Sequence, residues 1–307
     1  MNKQSVALAL KGYSRRELPG WGWVLRRAGV FDDSVWREAP TAVAEGKLHG
    51  FRMELDLRNW SERQTYFLGR FYDLPTQLLV MRLLRRGDLF VDVGANIGMI
   101  SALAARCVGP EGRVLAFEPN PDAMRRLRRL IENNDLAERI EALSSALSDA
   151  EGTMTLSVIT EHTGMGTLSE VPPEQRGLVS GTHAVPVEIG DRVLAGRGPV
   201  AGMKIDVEGF ESHVIGGLLE TLRRDRPWIV AEVIEEHLRR AGTSSAALLA
   251  KLAGLGYEAH AISLRRTGLR HGLQLARLGA RDLPVRSDVL FLPEDSPLRA
   301  AVLAAEH

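Results

Sequence analysis

Between residues 88 and 292 the chain alternates short apolar runs with helix-patterned stretches, which predicts an α/β protein with a Rossmann-like, mostly parallel sheet. Three observations carry this. Leu89 to Val93 is an apolar run that ends in a glycine turn, as suits a strand buried on both faces. Helical stretches follow the early runs, at 97–108 and after Asn120, which can cap a helix with Pro121 at its first position. The last two runs, 258–264 and 288–292, have no convincing helix between them, so they predict an antiparallel hairpin at the sheet edge.

The remaining elements fill in order. A helix is expected over 61–71 with Ser61 as N-cap. Strands fit 114–117, 140–147, 203–205 and 228–233, which gives seven in all. Residues 153–189 look like a hairpin, and helices fit 212–224 and 245–255. The stretch 161–181, rich in Gly, Pro and Thr, is expected to be a mobile loop of the kind that covers a site. Residues 265–286 read as an insertion. Residues 1–75 hold four of the five tryptophans and read as an N-terminal cap or lid, with the main domain over 76–307.

Composition bounds the function. The chain has 307 residues, 45% hydrophobic and 25% charged, enough for a large core without disulfides. Basic and acidic residues balance at 39 each and aromatics are 6%, which argues against nucleic-acid binding. Arg125, Arg126, Arg128 and Arg129 alternate with apolar residues and read as a solvated helix face. Cys107 is the single cysteine and is expected to be buried and inert. The apolar run 6–10 is too short for a signal peptide and nothing is long enough to span a membrane, so a cytoplasmic location is expected.

Ligands of open α/β sheets sit at the strand carboxyl ends. The first core strand ends in Asp92-Val93-Gly94-Ala95-Asn96-Ile97-Gly98. Gly94 permits a tight turn, Gly98 lets the next helix pack close, and Asp92 can meet an ammonium group. Glu118, at the end of the second strand, can accept from both hydroxyls of a ribose. A ribose joined to an amino-acid-like cation describes S-adenosylmethionine. A nicotinamide dinucleotide would want G-x-G-x-x-G beside its pyrophosphate, and the spacing here is G-x-x-x-G. An NAD-linked oxidoreductase and a non-catalytic binder of S-adenosylmethionine remain the competing classes.

At these residues the chain resembles the FkbM-type methyltransferase family. The resemblance runs through Asp56-Leu57-Arg58 with Glu62, Tyr66 and Gly69, then 91–98, then Phe117-Glu118-Pro119-Asn120. It continues through Ala146-Leu147-Ser148-Asp149, Lys204-Ile205-Asp206-Val207-Glu208-Gly209-Phe210-Glu211, Arg226-Pro227 and Val230-Ala231-Glu232-Val233. It implies a class I methyltransferase fold and methyl transfer from S-adenosylmethionine, typically to a hydroxyl of a small molecule, natural product or glycan sugar unit. It also implies cofactor positions at Asp92, Gly94, Asn96, Gly98, Glu118, Pro119 and Asn120, at Ser145 and Ala146 beside the adenine, and at Glu62 and Tyr66 from the cap.

An alcohol needs a base or a metal before it can attack a methyl group. Asp206 and Glu232 end neighbouring strands, with Glu208 two residues past Asp206. These hard oxygen ligands suit Mg²⁺ or Mn²⁺, with Asp206 and Glu232 as the expected metal pair, or they orient the acceptor hydroxyl directly. Asp206 also counts among the cofactor contacts. The bland reading is that Asp206 and Glu208 start the next helix and pair with Lys204. His213, His237 and His162 are each candidates for the base, because histidine titrates near neutral pH, and His237 is counted with the catalytic carboxylates. The aromatic N-terminal region is a candidate homodimer contact.

Overall fold

The computed structural model describes residues 2–159, 166–267, 270–279 and 286–299. Four short helices open it: α1 (Lys3–Ala9), α2 (Lys11–Arg15), α3 (Trp21–Arg27) and α4 (Asp33–Trp36). The hairpin β1 (Thr41–Glu45) and β2 (Arg52–Asp56) leads to α5 (Trp60–Leu68) and α6 (Leu74–Leu83). The α/β alternation then begins: β3 (Leu89–Val93), α7 (Met99–Val108), β4 (Arg113–Phe117), α8 (Pro121–Glu132) and β5 (Ile140–Leu143). A side sheet follows, made of β6 (Ala146–Ser148), β7 (Gly152–Ile159), β8 (Gly166–Thr167) and β9 (Val179–Ile189), with α9 (Gly190–Leu194) behind it. The chain returns through β10 (Val200–Ile205), α10 (Glu211–Gly216), α11 (Leu219–Asp225), β11 (Trp228–Ile234), α12 (Glu235–Arg240) and α13 (Ser245–Ala253). It closes with β12 (Tyr257–Thr267), β13 (Arg270–Arg277) and β14 (Arg286–Pro293).

The main sheet has the order β13-β12-β14-β11-β10-β3-β4-β5. Its centre, β11 to β5, is parallel, while β14, β12 and β13 are antiparallel. Strand order reverses between β3 and β10, which opens the ligand crevice at their carboxyl ends. This is the α/β order of class I methyltransferases with one added edge strand.

Both sheet faces are buried, which is why the central strands read as unbroken apolar runs. Phe90, Val114 and Ala116 pack with Leu79 and Leu83 of α6 and Leu103 of α7. Val91, Val93, Leu115 and Phe117 pack on the other face with Val214, Leu222, Leu248 and Leu252. A third cluster holds the N-terminal helices together through Leu25, Val30, Trp36 and Phe67. At its edge the Arg63 guanidinium, fully buried, donates to the carbonyls of Val30 and Leu57 and pairs with Asp33.

Several expectations change. The sheet has eight strands, because β13 lies in the segment read as an insertion. Leu273 and Leu275 are buried with Gly272 and Gln274 exposed, a period-2 pattern that marks a strand. The run 140–147 is two strands in different sheets. The stretch 212–224 is two helices, broken around Gly217. Asn59, not Ser61, caps α5, and its side chain accepts from the amides of Ser61 and Glu62. Part of the expected loop is structured as β8 and a 3₁₀ turn over Pro173–Leu178, and residues 161–165 lie outside the described residues. Asn120 caps α8 with Pro121 at its first position, as expected. The expected solvated arginine face is exposed at Arg125 and Arg129, but Arg126 is half-buried against Glu62. Cys107 is a free thiol, half-buried on α7 and raised in pKa by that burial.

Glu17 fastens the N-terminal helices to the chain after α5. It accepts two hydrogen bonds from Arg70, at 2.9 and 2.8 Å, and pairs with Lys47. Burial alone would raise its pKa, but Arg70 and Lys47 outweigh it and hold the carboxyl at about 2. The charged form is favoured by folding, so this contribution is full above pH 4.5 and is lost as pH falls towards 2. Glu17→Gln is expected to cost about 2 kcal/mol at neutral pH. Thermal melts from pH 2 to 7 should show that difference shrinking with acid; a difference independent of pH would refute the assignment.

Candidate functional site

A cavity of about 340 Å³ opens at the carboxyl ends of β3, β4, β10 and β11. Asn59, Trp60, Glu62 and Thr65 wall it on the α5 side, and Leu156, Gly166 and Leu168 on the side-sheet side. Its size lies in the range of small-molecule sites.

The turn after β3 forms one bank. Gly94 (φ 77°) and Asn96 (φ 52°) both adopt left-handed backbone. A Cβ on Gly94 would lie 1.9 Å from the Asp206 carbonyl oxygen, so only glycine fits where the chain leaving β10 passes this turn. The amides of Gly94 and Ala95 donate to the Phe117 carbonyl, at 3.0 and 2.9 Å. Glu118 ties the two loops: one oxygen accepts from the Asn96 amide and the other from the Asn120 amide, each at 2.8 Å. Burial raises its carboxyl to about 7, against these hydrogen bonds. Ser145, also buried at the wall, has an Oγ without a hydrogen-bond partner among the described residues.

Lys204 sits beneath the turn. Its Nζ donates to the Gly94 carbonyl at 2.8 Å and lies 3.3 Å from Asp206 and 3.7 Å from Asp92. Burial opposes its charge, but Asp206 and Asp92 outweigh that and keep the ammonium above its ordinary pKa. Asp92 is fully buried, raised by that burial, and also accepts from Ser101 Oγ.

Asp206, beside the turn, continues into a second group that lines the same cavity: Glu208, Glu232 and His237. Glu208 has φ 54° and Gly209 has φ 105°. A Cβ on Gly209 would lie 2.4 Å from the His237 carbonyl oxygen, so this glycine lets α12 approach. The approach brings His237 Nδ1 to 3.1 Å from Glu208 Oε2. Glu211 braces the turn by accepting from the amides of Val207 and Gly209. Ligand atoms of Glu208, Glu232 and His237 all lie within 4.8 Å of one another. Burial, then Asp206 and Glu208, raise Glu232 well above the usual carboxylate range. At the mouth, Trp60 and Tyr72 stand ring to ring at 4.9 Å. The Tyr72 phenol is raised by burial and by Asp206 and Asp73.

The structure therefore brings Gly94, Asn96, Glu118, Pro119, Ser145, Ala146, Asp206, Glu208, Glu232, His237 and Glu62 to one cavity. It departs from expectation at others. Asp92 lies behind the wall, and the ammonium it meets is the protein's own Lys204. Asn120 is buried as the cap of α8, and Gly98 caps α7 beneath Leu127. Tyr66 turns to the N-terminal cluster, edge-on to Phe67 with Lys11 Nζ 3.4 Å from its ring centroid. His213 stacks on Phe210 and faces Asp149 and the Ala241 carbonyl. His162 lies outside the described residues. Of the expected metal pair, Asp206 is engaged by Lys204, and the groups that converge with Glu232 are Glu208 and His237. Lys204, Trp60, Tyr72 and the side-sheet residues Leu156 and Leu168 were not anticipated at the wall.

The fold and crevice define a class I methyltransferase architecture. Residues 92–259 match the methyltransferase FkbM domain, and the chain belongs to that family. Methyltransferase sdnD of Sordaria araneosa is 39% identical over 88 residues, 29% of this chain and 33% of that protein. Hexuronic acid methyltransferase AglP of Haloferax volcanii is 31% identical over 171 residues, 51% of this chain and 62% of that protein. The chain thus spans less than two thirds of either relative. The crystal structure of an FkbM methyltransferase from Methylobacillus flagellatus aligns at 13% identity and a TM-score of 0.41, covering 89% of this chain and 60% of that one.

Lys204→Met should leave Asp92 buried without a cation. The expected loss is about 3–5 kcal/mol, read as a drop in melting temperature at pH 7. A variant as stable as the parent would show that Lys204 does not hold the turn.

Proposed function

We propose that the chain transfers a methyl group from S-adenosylmethionine to a hydroxyl of a small molecule, natural product or glycan sugar unit. The observation that carries this is one cavity with a glycine turn and Glu118 on one bank and a carboxylate–imidazole group on the other. The donor set fits the cofactor. Each Glu118 oxygen has one lone pair committed to a backbone amide and one left for a ribose hydroxyl. Ser145 Oγ offers a buried, unpartnered contact for the adenine edge. Bound S-adenosylmethionine supplies an activated methyl on a sulfonium, so the protein's task is to position and deprotonate the acceptor.

His237 is the base in this reading. Glu208 Oε2 lies 3.1 Å from the buried Nδ1, which makes no hydrogen bond among the described residues, so in this reading a small turn of the ring would let Glu208 accept from Nδ1–H and leave Nε2 to take the hydroxyl proton. Asp206 accepts from an acceptor hydroxyl, and Glu232, whose carboxyl keeps its proton at neutral pH, aligns one through its carbonyl oxygen or its own O–H. Residues 1–75 serve as the cap, since α5 supplies one wall of the cavity. The Haloferax relative's hexuronic acid supports a sugar acceptor. The acids at this end favour a sugar whose own carboxylate, if present, points away.

A second reading rests on the 4.8 Å convergence of Glu208, Glu232 and His237. Two carboxylates and an imidazole suit Mn²⁺ or Mg²⁺, which would acidify the hydroxyl instead. Turnover that persists in EDTA supports His237 as base; loss in EDTA restored by Mn²⁺ supports the cation.

Titration calorimetry with S-adenosylhomocysteine and with NAD⁺ tests the central claim. Binding of the former alone is expected, weakened about 10–100-fold in Glu118→Ala. His237→Ala is expected to keep that affinity and lose about 10²–10⁴-fold in kcat. Binding of NAD⁺ in its place would make the protein an oxidoreductase, and binding of S-adenosylhomocysteine without turnover on any hydroxyl would make it a non-catalytic binder.

A further inference from the structure

We infer that the α2–α3 corner of the N-terminal segment is a docking face for an anionic lipid surface. Four of the eight large hydrophobic residues exposed among the described residues fall within a short N-terminal stretch: Leu8, Leu18, Trp23 and Phe31. Trp23 is the most open of them at 64%. It shares one face of α3 with Arg26 and Arg27, three and four residues on, and both arginines are exposed. The Arg27 guanidinium lies 5.2 Å from the Trp23 ring. The opposite face of α3 buries Leu25 in the N-terminal cluster, so the Trp–Arg face points outward. Arg16 and Leu18, both exposed, lie in the turn that leads into it.

The charges in this segment do not cancel locally. Glu17 is held by Arg70 and Lys47, Asp32 by Lys3 and Asp33 by Arg63. Arg16, Arg26 and Arg27 form no ion pair among the described residues. The α3 face therefore combines a protruding indole with guanidinium groups that form no ion pair among the described residues. Indole rings favour the headgroup level of a bilayer, and each nearby base adds attraction to anionic lipid. The contact proposed is a peripheral one; no helix among the described residues is long and apolar enough to cross a membrane. It also bears on the cavity: α5 lines it with Trp60, Glu62 and Thr65 and roots Phe67 in the same cluster as Leu25.

The test is co-sedimentation of the whole chain with vesicles of phosphatidylglycerol and phosphatidylcholine, and with phosphatidylcholine alone. Binding to the first, reversed by salt, is expected, with little binding to the second. Arg26→Glu with Arg27→Glu should weaken it at least about tenfold, and Trp23→Ala should weaken it as well. Both variants should keep the parent melting temperature, since neither side chain enters the core. Failure of the parent to sediment with anionic vesicles would overturn the inference. So would equal binding by the charge-reversed variant, or self-association without vesicles that Trp23→Ala abolishes, which would assign the face to a second copy.

Discussion

The site depends on a buried ammonium. Lys204 reaches from the end of β10 across the strand-order reversal, donates to the Gly94 carbonyl and meets Asp92 and Asp206. The two central strands stay paired to their ends, with the Asp206 amide donating to the Val93 carbonyl, and the helices that follow them leave in different directions, so the carboxylates of Asp92 and Asp206 are left at one crevice edge. A neutral side chain at 204 could close the gap sterically but could not answer two acids. The cation answers both and holds the glycine turn down at the same time. Gly94 then has to be glycine for a linked reason: the cross-strand approach that Lys204 stabilises puts the Asp206 carbonyl where a Cβ would be.

The second constraint comes from outside the sheet. The N-terminal segment packs as its own cluster but contributes a cavity wall through α5. Glu62 shows how the parts are joined. Its carboxylate accepts from the Asp56 amide and pairs with Arg126 on α8, so the hairpin, α5 and a helix of the α/β core meet at one group. That pairing draws Arg126 out of an otherwise solvated arginine face. The cavity is therefore set by contacts that span the chain, made by groups such as Glu62 that themselves line it.

This explains what the sequence could and could not reveal. The glycine turn, Glu118 and the Asp206–Glu208 segment were legible because a local backbone need selects those residue types at strand ends. Asn120 with Pro121 was legible for the same reason. Asp92 was misplaced because strand position says where a residue lies along the chain, not which side of the turn its carboxylate faces. Tyr66 was misplaced by a rotation around α5, since nothing local distinguishes the cavity face from the flank that meets Lys11. Trp60 and Tyr72 were not anticipated because their role depends on where a distant helix docks. The pattern Leu273–Gln274–Leu275 did mark β13, but its glycine and arginine neighbours obscured a strand at the sheet edge.

The cavity is also polarised. On the turn side, Lys204 compensates Asp92 and shares Asp206, and Glu118 is braced by two amides. On the opposite side Glu208 has His237, while Asp206 and Asp288 add to the burial that raises Glu232. With Glu232 raised to about 9, its carboxyl keeps its proton at neutral pH, so a group arriving at this second side meets a mixture of anionic acceptors and one O–H donor. Hydroxyls satisfy that mixture, because each brings a proton to share, and a cation satisfies the anionic acceptors more strongly. A bare carboxylate faces like charge there. The asymmetry follows from two glycines, at 94 and 209, that let the end of a strand and a helix converge on the cavity.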